Sequence, residues 1–206
     1  MAEYASAREV TRWWWIRHAP AIGFEGRVYG QTDVACDTSD RAAMTALARA
    51  LPAAAIWLVS PLRRARDTAA AIREAGAAGP EPIVEPDFIE QNFGAWQGQK
   101  RADIIRHRLW VAGAAETPPD GENFVHVIER VGGAVTRLTE QHRGRDLIAV
   151  AHGGVIRAAL GLALDLSPEI ALAFAIDNLS ITVIERFSGG GRSHAWRIVT
   201  ANRPPR

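Results

Sequence analysis

Two apolar runs lie near opposite ends of this 206-residue chain, and each ends in a histidine. Trp13-Trp14-Trp15-Ile16 leads into Arg17-His18-Ala19-Pro20, and Leu147-Ile148-Ala149-Val150-Ala151 leads into His152-Gly153-Gly154. A short unbroken apolar run followed by small or turn-forming residues marks a strand covered on both faces, as in a parallel sheet. Open α/β sheets place their sites outside the carboxyl ends of such strands. Each histidine is therefore expected at a carboxyl edge. An imidazole directly after an arginine suggests a nucleophile held beside a fixed positive charge, a setting that suits a phosphoryl group.

Strands and helices alternate between the two runs. Strands are expected over 12–17, 55–60, 83–84 and 146–151. Helices are expected from a cap at Thr38 or Ser39 to about Leu51, and over about 61–75, 99–111, 122–142 and 153–164. Pro52 closes the first helix, and Phe124, Val127, Ile128, Val131, Val135 and Leu138 recur at helical spacing. Residues 19–37 and 88–98 read as long loops of the kind that carry function. Residues 181–187 and 195–200, joined by Gly189-Gly190-Gly191, read as a closing hairpin that adds one antiparallel strand. The expectation is an α/β chain: a three-layer α/β/α sandwich with a mostly parallel central sheet and a small loop or helical cap. It is expected to form one domain over 1–206, frayed at 1–10 and 202–206.

Composition removes several classes. A net charge of +1 offers no field for nucleic acid or an acidic membrane, and no apolar run approaches a membrane span. Seven tryptophans could suggest a base-stacking platform, but that charge argues against one, and alternation along a covered strand hides Trp13, Trp14 and Trp15. One cysteine, Cys36, excludes an internal disulfide and fits a reducing, cytoplasmic setting. No secretory signal is visible in residues 1–10. Cys36 and Arg41 lie one residue short of a Cys-x5-Arg loop, and no Walker loop, dinucleotide fingerprint or zinc motif appears. His107, His126, His142 and His194 lack ligand spacing and read as surface residues. Neither a metal nor a cofactor is expected, and the oligomeric state is open.

Arg63, Arg64 and Arg66 open the second helix just after a strand end. Basic residues there oppose the helix dipole, so a bound anion would account for them, with arginine's planar fork matching phosphate oxygens. Glu90 lies in the glycine- and aromatic-containing loop Phe88–Gly98. A single carboxylate there can protonate a leaving oxygen and then take a proton from water.

Taken in order, Arg17-His18, Ser60-x-Leu-x-Arg64-Ala, Glu90 before Phe-Gly-x-Trp-x-Gly, and His152-Gly-Gly-Val-Ile-Arg resemble the histidine phosphatase superfamily. That is the family with the cofactor-dependent phosphoglycerate mutases, and the similarity spans about residues 12–187. The resemblance implies that His18 becomes phosphohistidine, that Arg17, Arg64 and His152 complete a cationic phosphate pocket, and that Glu90 is the proton donor. It implies a metal-independent phosphomonoesterase acting on a small phosphorylated metabolite. Arg63 and Arg66 gain no role from it.

Two positions depart from the family pattern. Ala19 stands where glycine is usual, which would strain the chain if φ must be positive there. An asparagine common in the following loop is absent from 21–30. Three other readings remain open. A phosphoglycerate mutase would need an arginine pair for a carboxylate, with candidates only at Lys100-Arg101 and Arg106–Arg108. An α-ribazole phosphatase-like enzyme is suggested by Gly26-Arg27-Val28-Tyr29-Gly30-Gln31-Thr32-Asp33 and by Pro118-x-x-Gly121-Glu122. A non-catalytic phospho-ligand binder rests on Ala19 alone.

Overall fold

The tryptophan-rich run forms β1 (Val10–Arg17) near the middle of a six-stranded sheet. The structure, a computed structural model, describes residues 9–106, 113–188 and 195–205. β2 (Ile56–Val59), β3 (Ile83–Val84), β4 (Asp146–Ala151), β5 (Ile181–Phe187) and β6 (Trp196–Arg203) complete the sheet in the order β3-β2-β4-β1-β5-β6. β3, β2, β4 and β1 pair in parallel; β5 is antiparallel to β1 and to β6, so β5 alone runs against the rest. The hairpin thus adds the one antiparallel strand that its pattern predicts.

Alternation sorts the β1 tryptophans between two cores. Trp13 and Trp15 are fully buried on one face, stacked with centroids 5.0 Å apart, and Phe88 stands edge-on against Trp15. α4 (Phe124–Gln141) and α5 (Gly153–Leu164) cover that face, and Thr139 of α4 accepts the Trp13 indole N–H at 2.9 Å. Trp14 packs on the opposite face, which α1 (Arg41–Ala50) and α2 (Arg63–Glu74) cover, and its indole donates to Asp146. With Trp13 and Trp15 buried there is no stacking platform in β1.

Several boundaries differ from expectation for local reasons. α1 is capped by Asp40, whose carboxylate accepts from Ala43 N at 2.9 Å, because Ser39 is engaged in a turn by Asp37. The helix ends at Ala50, since Pro52 forces Leu51 into extended backbone. The basic helix α3 is described over Arg101–Arg106, and its expected continuation lies outside the described residues. Two short 3-10 turns, Pro86–Phe88 and Gly94–Trp96, organise the loop expected to be irregular. α6 (Pro168–Leu172) was not expected from the sequence pattern. Of the ends expected to fray, 1–10 and 202–206, only residues 9, 10 and 202–205 are described. Val10 opens β1, while Asn202 and Arg203 complete β6, with Asn202 and Asp177 joined by two hydrogen bonds. Residues 1–8, His107, Arg108, His194 and the glycine turn lie outside the described residues.

Register positions the site. Arg17 is paired with Ala151, so His18 and His152 leave adjacent strands at the same level, and His18 N donates to the Ala151 carbonyl at 2.9 Å.

Candidate active site

His18 is 1 % exposed. Its Nδ1 lies 2.6 Å from the Ala19 carbonyl, which can only accept, so Nδ1 carries the proton and Nε2 keeps its lone pair. Burial first, then the charges of Arg64 and Arg17, push its pKa well below 6.5 despite the Ala19 bond, so the ring is neutral. Its surroundings are tied to three distant segments. Asn178 donates to the His18 carbonyl at 2.7 Å, Leu179 N donates to the Arg17 carbonyl, and Thr68 accepts from Ala19 N. Ala19 is absent from the positive-φ residues, so alanine carries no backbone strain there.

Arg64, fully buried in the first turn of α2, donates through Nε to His18 Nε2 at 3.2 Å. Its other nitrogens donate to the carbonyls of Thr32 and Gly30, and its guanidinium stacks on Tyr29. Those bonds stitch the loop after β1 onto α2. Arg63 and Arg66 are exposed, and Arg63 pairs with Asp67, so the solvated reading of both holds. Cys36 is buried and donates to the Arg64 carbonyl, behind the site.

Arg17 donates through Nη1 to the Ile176 carbonyl at 2.6 Å, while its Nε is buried without a partner. His152, also fully buried, lies 5.1 Å from His18 between ring centroids. Its Nε2 is 2.6 Å from Ser60 Oγ, and its Nδ1 is buried without a partner. Ser60 Oγ already receives a long bond from Leu62 N, so donating its own hydrogen to His152 Nε2 satisfies the hydroxyl. That leaves the His152 proton on Nδ1. Burial first, then Arg64, His18 and Arg17, keep this ring neutral. Of the three residues expected to make the pocket cationic, the two arginines carry the charge and His152 is neutral, because a buried imidazole beside guanidinium groups sheds its proton.

Glu90 reaches the same edge from the opposite wall. Its carboxylate accepts from Gln91 N at 3.0 Å and from Gly154 N, in the first turn of α5, at 3.2 Å. A Cβ at Gly154 would collide with Glu90 Oε1, so only glycine lets the carboxylate approach. Arg130 and Gln31 both donate to the Glu90 carbonyl, and Arg130 grips the Glu122 carboxylate at two points. Glu122 thereby braces the loop that carries Glu90 and Asn92. Arg17, Glu90, Tyr29 and Gly153 line one cleft of about 430 Å³.

All five sequence-predicted residues thus converge. Sequence reasoning assigned no role to Ser60, Thr68, Arg130 or Asn178; only Ser60 left a signal, as the first residue of the Ser-x-Leu-x-Arg motif. His126 is exposed and His142 partly so, and no group of three or more His, Cys, Asp or Glu could hold a metal among the described residues.

Known proteins resemble the chain in sequence and in fold. The chain is 34% identical over 139 residues to a bifunctional protein of Mycobacterium tuberculosis, a match covering 65% of this chain and 38% of that protein. Over 106 residues it is 33% identical to a metal-independent phosphoserine phosphatase of Arabidopsis thaliana, covering 48% of this chain and 44% of the relative. The chain therefore spans less than half the length of these curated relatives. Among solved structures, a mycobacterial glucosyl-3-phosphoglycerate phosphatase superposes with a TM-score of 0.80 at 26% identity, over 94% of this chain and 99% of that one. The family model of the histidine phosphatase superfamily (branch 1) matches residues 13–199, and the chain belongs to that family.

Proposed function

We propose that the chain is a metal-independent phosphomonoesterase that hydrolyses a small phosphorylated metabolite through a phosphohistidine on His18. The observation that carries this reading is one sheet edge where a neutral buried imidazole lone pair faces two arginines and two buried donors without partners, Arg17 Nε and His152 Nδ1. Buried donors left unsatisfied cost stability, and an anion there satisfies both.

The phosphoryl oxygens take the donors of Arg17, Arg64 and His152, and in doing so draw the Arg64 Nε–H away from His18 Nε2. The freed lone pair attacks phosphorus in line; the N–P bond forms as the ester P–O bond breaks. Glu90 gives a proton to the leaving oxygen, then takes one from water as the water oxygen displaces His18. Inorganic phosphate leaves, and the imidazole regains its lone pair. Arg17 and Arg64 supply the positive charge that the reaction requires.

Relatives named as phosphatases support hydrolysis, and relatives named as phosphoglycerate mutases match as well, so the mutase reading is weighed on its carboxylate grip. Of the candidates for a mutase carboxylate grip, Arg101 lines the cleft and Lys100 is exposed away from it. The non-catalytic reading loses its support, since Ala19 is unstrained. Small phosphorylated metabolites as substrates, and a cytoplasmic setting suited to a free buried thiol, belong to the same proposal; no helix among the described residues is long and apolar enough to cross a membrane.

The test is to denature the enzyme in alkali during turnover of labelled phosphoester. Label on the His18 peptide, stable to base and lost in acid, is the expected result, with turnover unchanged by excess EDTA. Label on Cys36 or a serine would overturn the reading, as would loss of activity in EDTA restored by magnesium or zinc.

A further inference from the structure

The cleft of about 430 Å³ extends past the strand edge between the cap and α5, where the leaving group of a phosphoester would lie. Arg157 lines it from α5, one turn after Gly153. Helical side chains lean toward the helix N-terminus, so this guanidinium runs back over Gly153. A Cβ on Gly153 would stand 3.4 Å from Arg157 Nη1 and 3.8 Å from Arg17 Nε. The Arg157 Nε–H donates to the Phe174 carbonyl at 2.7 Å, which fixes the fork, while its two terminal nitrogens have no hydrogen bond among the described residues.

Two like charges share a half-buried corner, and that arrangement is unfavourable unless something negative joins them. Burial, then Arg17 and Arg101, lower the pKa of Arg157, against Glu90, which raises it. Glu90 does not pair with it: the carboxylate is committed to Gln91 N and Gly154 N. The phosphoryl group is already matched by Arg17, Arg64 and His152. We infer that Arg157 binds a second anionic group on the substrate, so the alcohol released carries a carboxylate or a second phosphate. This rests on the phosphatase reading and deepens it. A preorganised arginine fork with two free nitrogens suits either anion, and selects for substrates in which about one short chain separates it from the phosphoester.

Matched pairs test it. O-phosphoserine and phosphoethanolamine differ only by a carboxylate; propane-1,3-diol bisphosphate and its monophosphate differ only by a second phosphate; p-nitrophenyl phosphate has neither. The wild-type chain is expected to favour the doubly anionic member of at least one pair by roughly tenfold or more in kcat/KM, the size of a charge-assisted hydrogen bond, mostly through KM. Which pair shows the preference identifies the anion. Arg157→Gln should abolish that preference and leave p-nitrophenyl phosphate hydrolysis unchanged, and Arg157→Lys should keep part of it. Equal wild-type rates within both pairs would overturn the inference, whatever the variants do. So would an Arg157→Gln loss that falls equally on p-nitrophenyl phosphate, which would put Arg157 in the phosphoryl pocket. A wild-type chain inert toward every phosphate would instead overturn the phosphatase reading itself.

Discussion

The two strand ends differ in the hydrogen bonds that their imidazoles make. His18 and His152 leave paired strands at one level, both are buried, and both are held neutral by burial and neighbouring arginines. Both rings carry their proton on Nδ1. At His18 that proton is spent on the Ala19 carbonyl, which leaves the Nε2 lone pair on the pocket side, where Arg64 Nε donates to it. At His152 the Nε2 lone pair is spent on the Ser60 hydroxyl, which leaves the Nδ1 proton without a partner. A carbonyl can only accept, whereas a hydroxyl can donate, so the same tautomer serves as an electron pair at one strand end and as a proton at the other. Similar strands thus yield a nucleophile and an oxyanion donor under the proposed mechanism.

The largest expected effect separates the pair. His18→Ala should abolish turnover and leave no labelled protein, since no other lone pair faces the arginines. His152→Ala removes one donor to the transferring group and should lower kcat by roughly 10²–10³-fold while still forming the labelled intermediate. Single-turnover quench experiments on both variants check this. A label that forms in His18→Ala, or never forms in His152→Ala, would exchange the two roles.

Glu90 comes next in size. Glu90→Gln should lower kcat by roughly 10²–10⁴-fold for an alkyl phosphate and by much less for p-nitrophenyl phosphate, whose leaving group needs little protonation. Steady-state rates on the two esters decide it, and an equal deficit on both would remove Glu90 from proton transfer. Glu122 is no substitute, because Arg130 holds its carboxylate.

How much of this was legible follows from the range of each interaction. β4 and α5 match the reading of residues 146–151 and 153–164, because a covered strand followed by a glycine pair is a local pattern. The five site residues were legible through a resemblance whose motifs sit at strand ends. Asn178, Thr68 and Arg130 were not, because each acts by donating to or accepting from a backbone group forty or more residues away, and periodicity carries no trace of such bonds. α6 spans only five residues, too few to show a helical repeat. The neutral state of His152 was missed because it depends on burial, which motif matching does not measure.

The tautomer at His152 can be broken without touching either imidazole. Ser60→Ala removes the hydroxyl that occupies Nε2, so the His152 proton should distribute over both nitrogens while His18 stays as it is. Nitrogen NMR of the imidazoles reads this directly, and kcat/KM should fall about tenfold, the worth of one oriented hydrogen bond. A wild-type spectrum with the proton on Nε2 would show that Ser60 accepts rather than donates, and the contrast between the strand ends would fail.

The smallest effect tests whether both rings are neutral to the same degree. The unfolded chain binds a proton at each histidine below the ordinary pKa of 6.5, whereas the folded chain does not, since its two values are lowered. The unfolded state therefore binds more protons just below pH 6.5, and acid favours it. The stability that these sites contribute is fully present above about pH 6.5, declines as pH falls below it, and levels off only after the lowered folded-state values are passed. Each neutral histidine contributes a slope of about 1.4 kcal/mol per pH unit within that window. Urea midpoints across the window should show that share removed by His18→Gln and an equal share removed by His152→Gln. If one substitution leaves the slope intact, that ring is already charged in the folded chain; at His18 this would take away the lone pair on which phosphoryl transfer depends, and at His152 it would leave two protons where the Ser60 bond allows one.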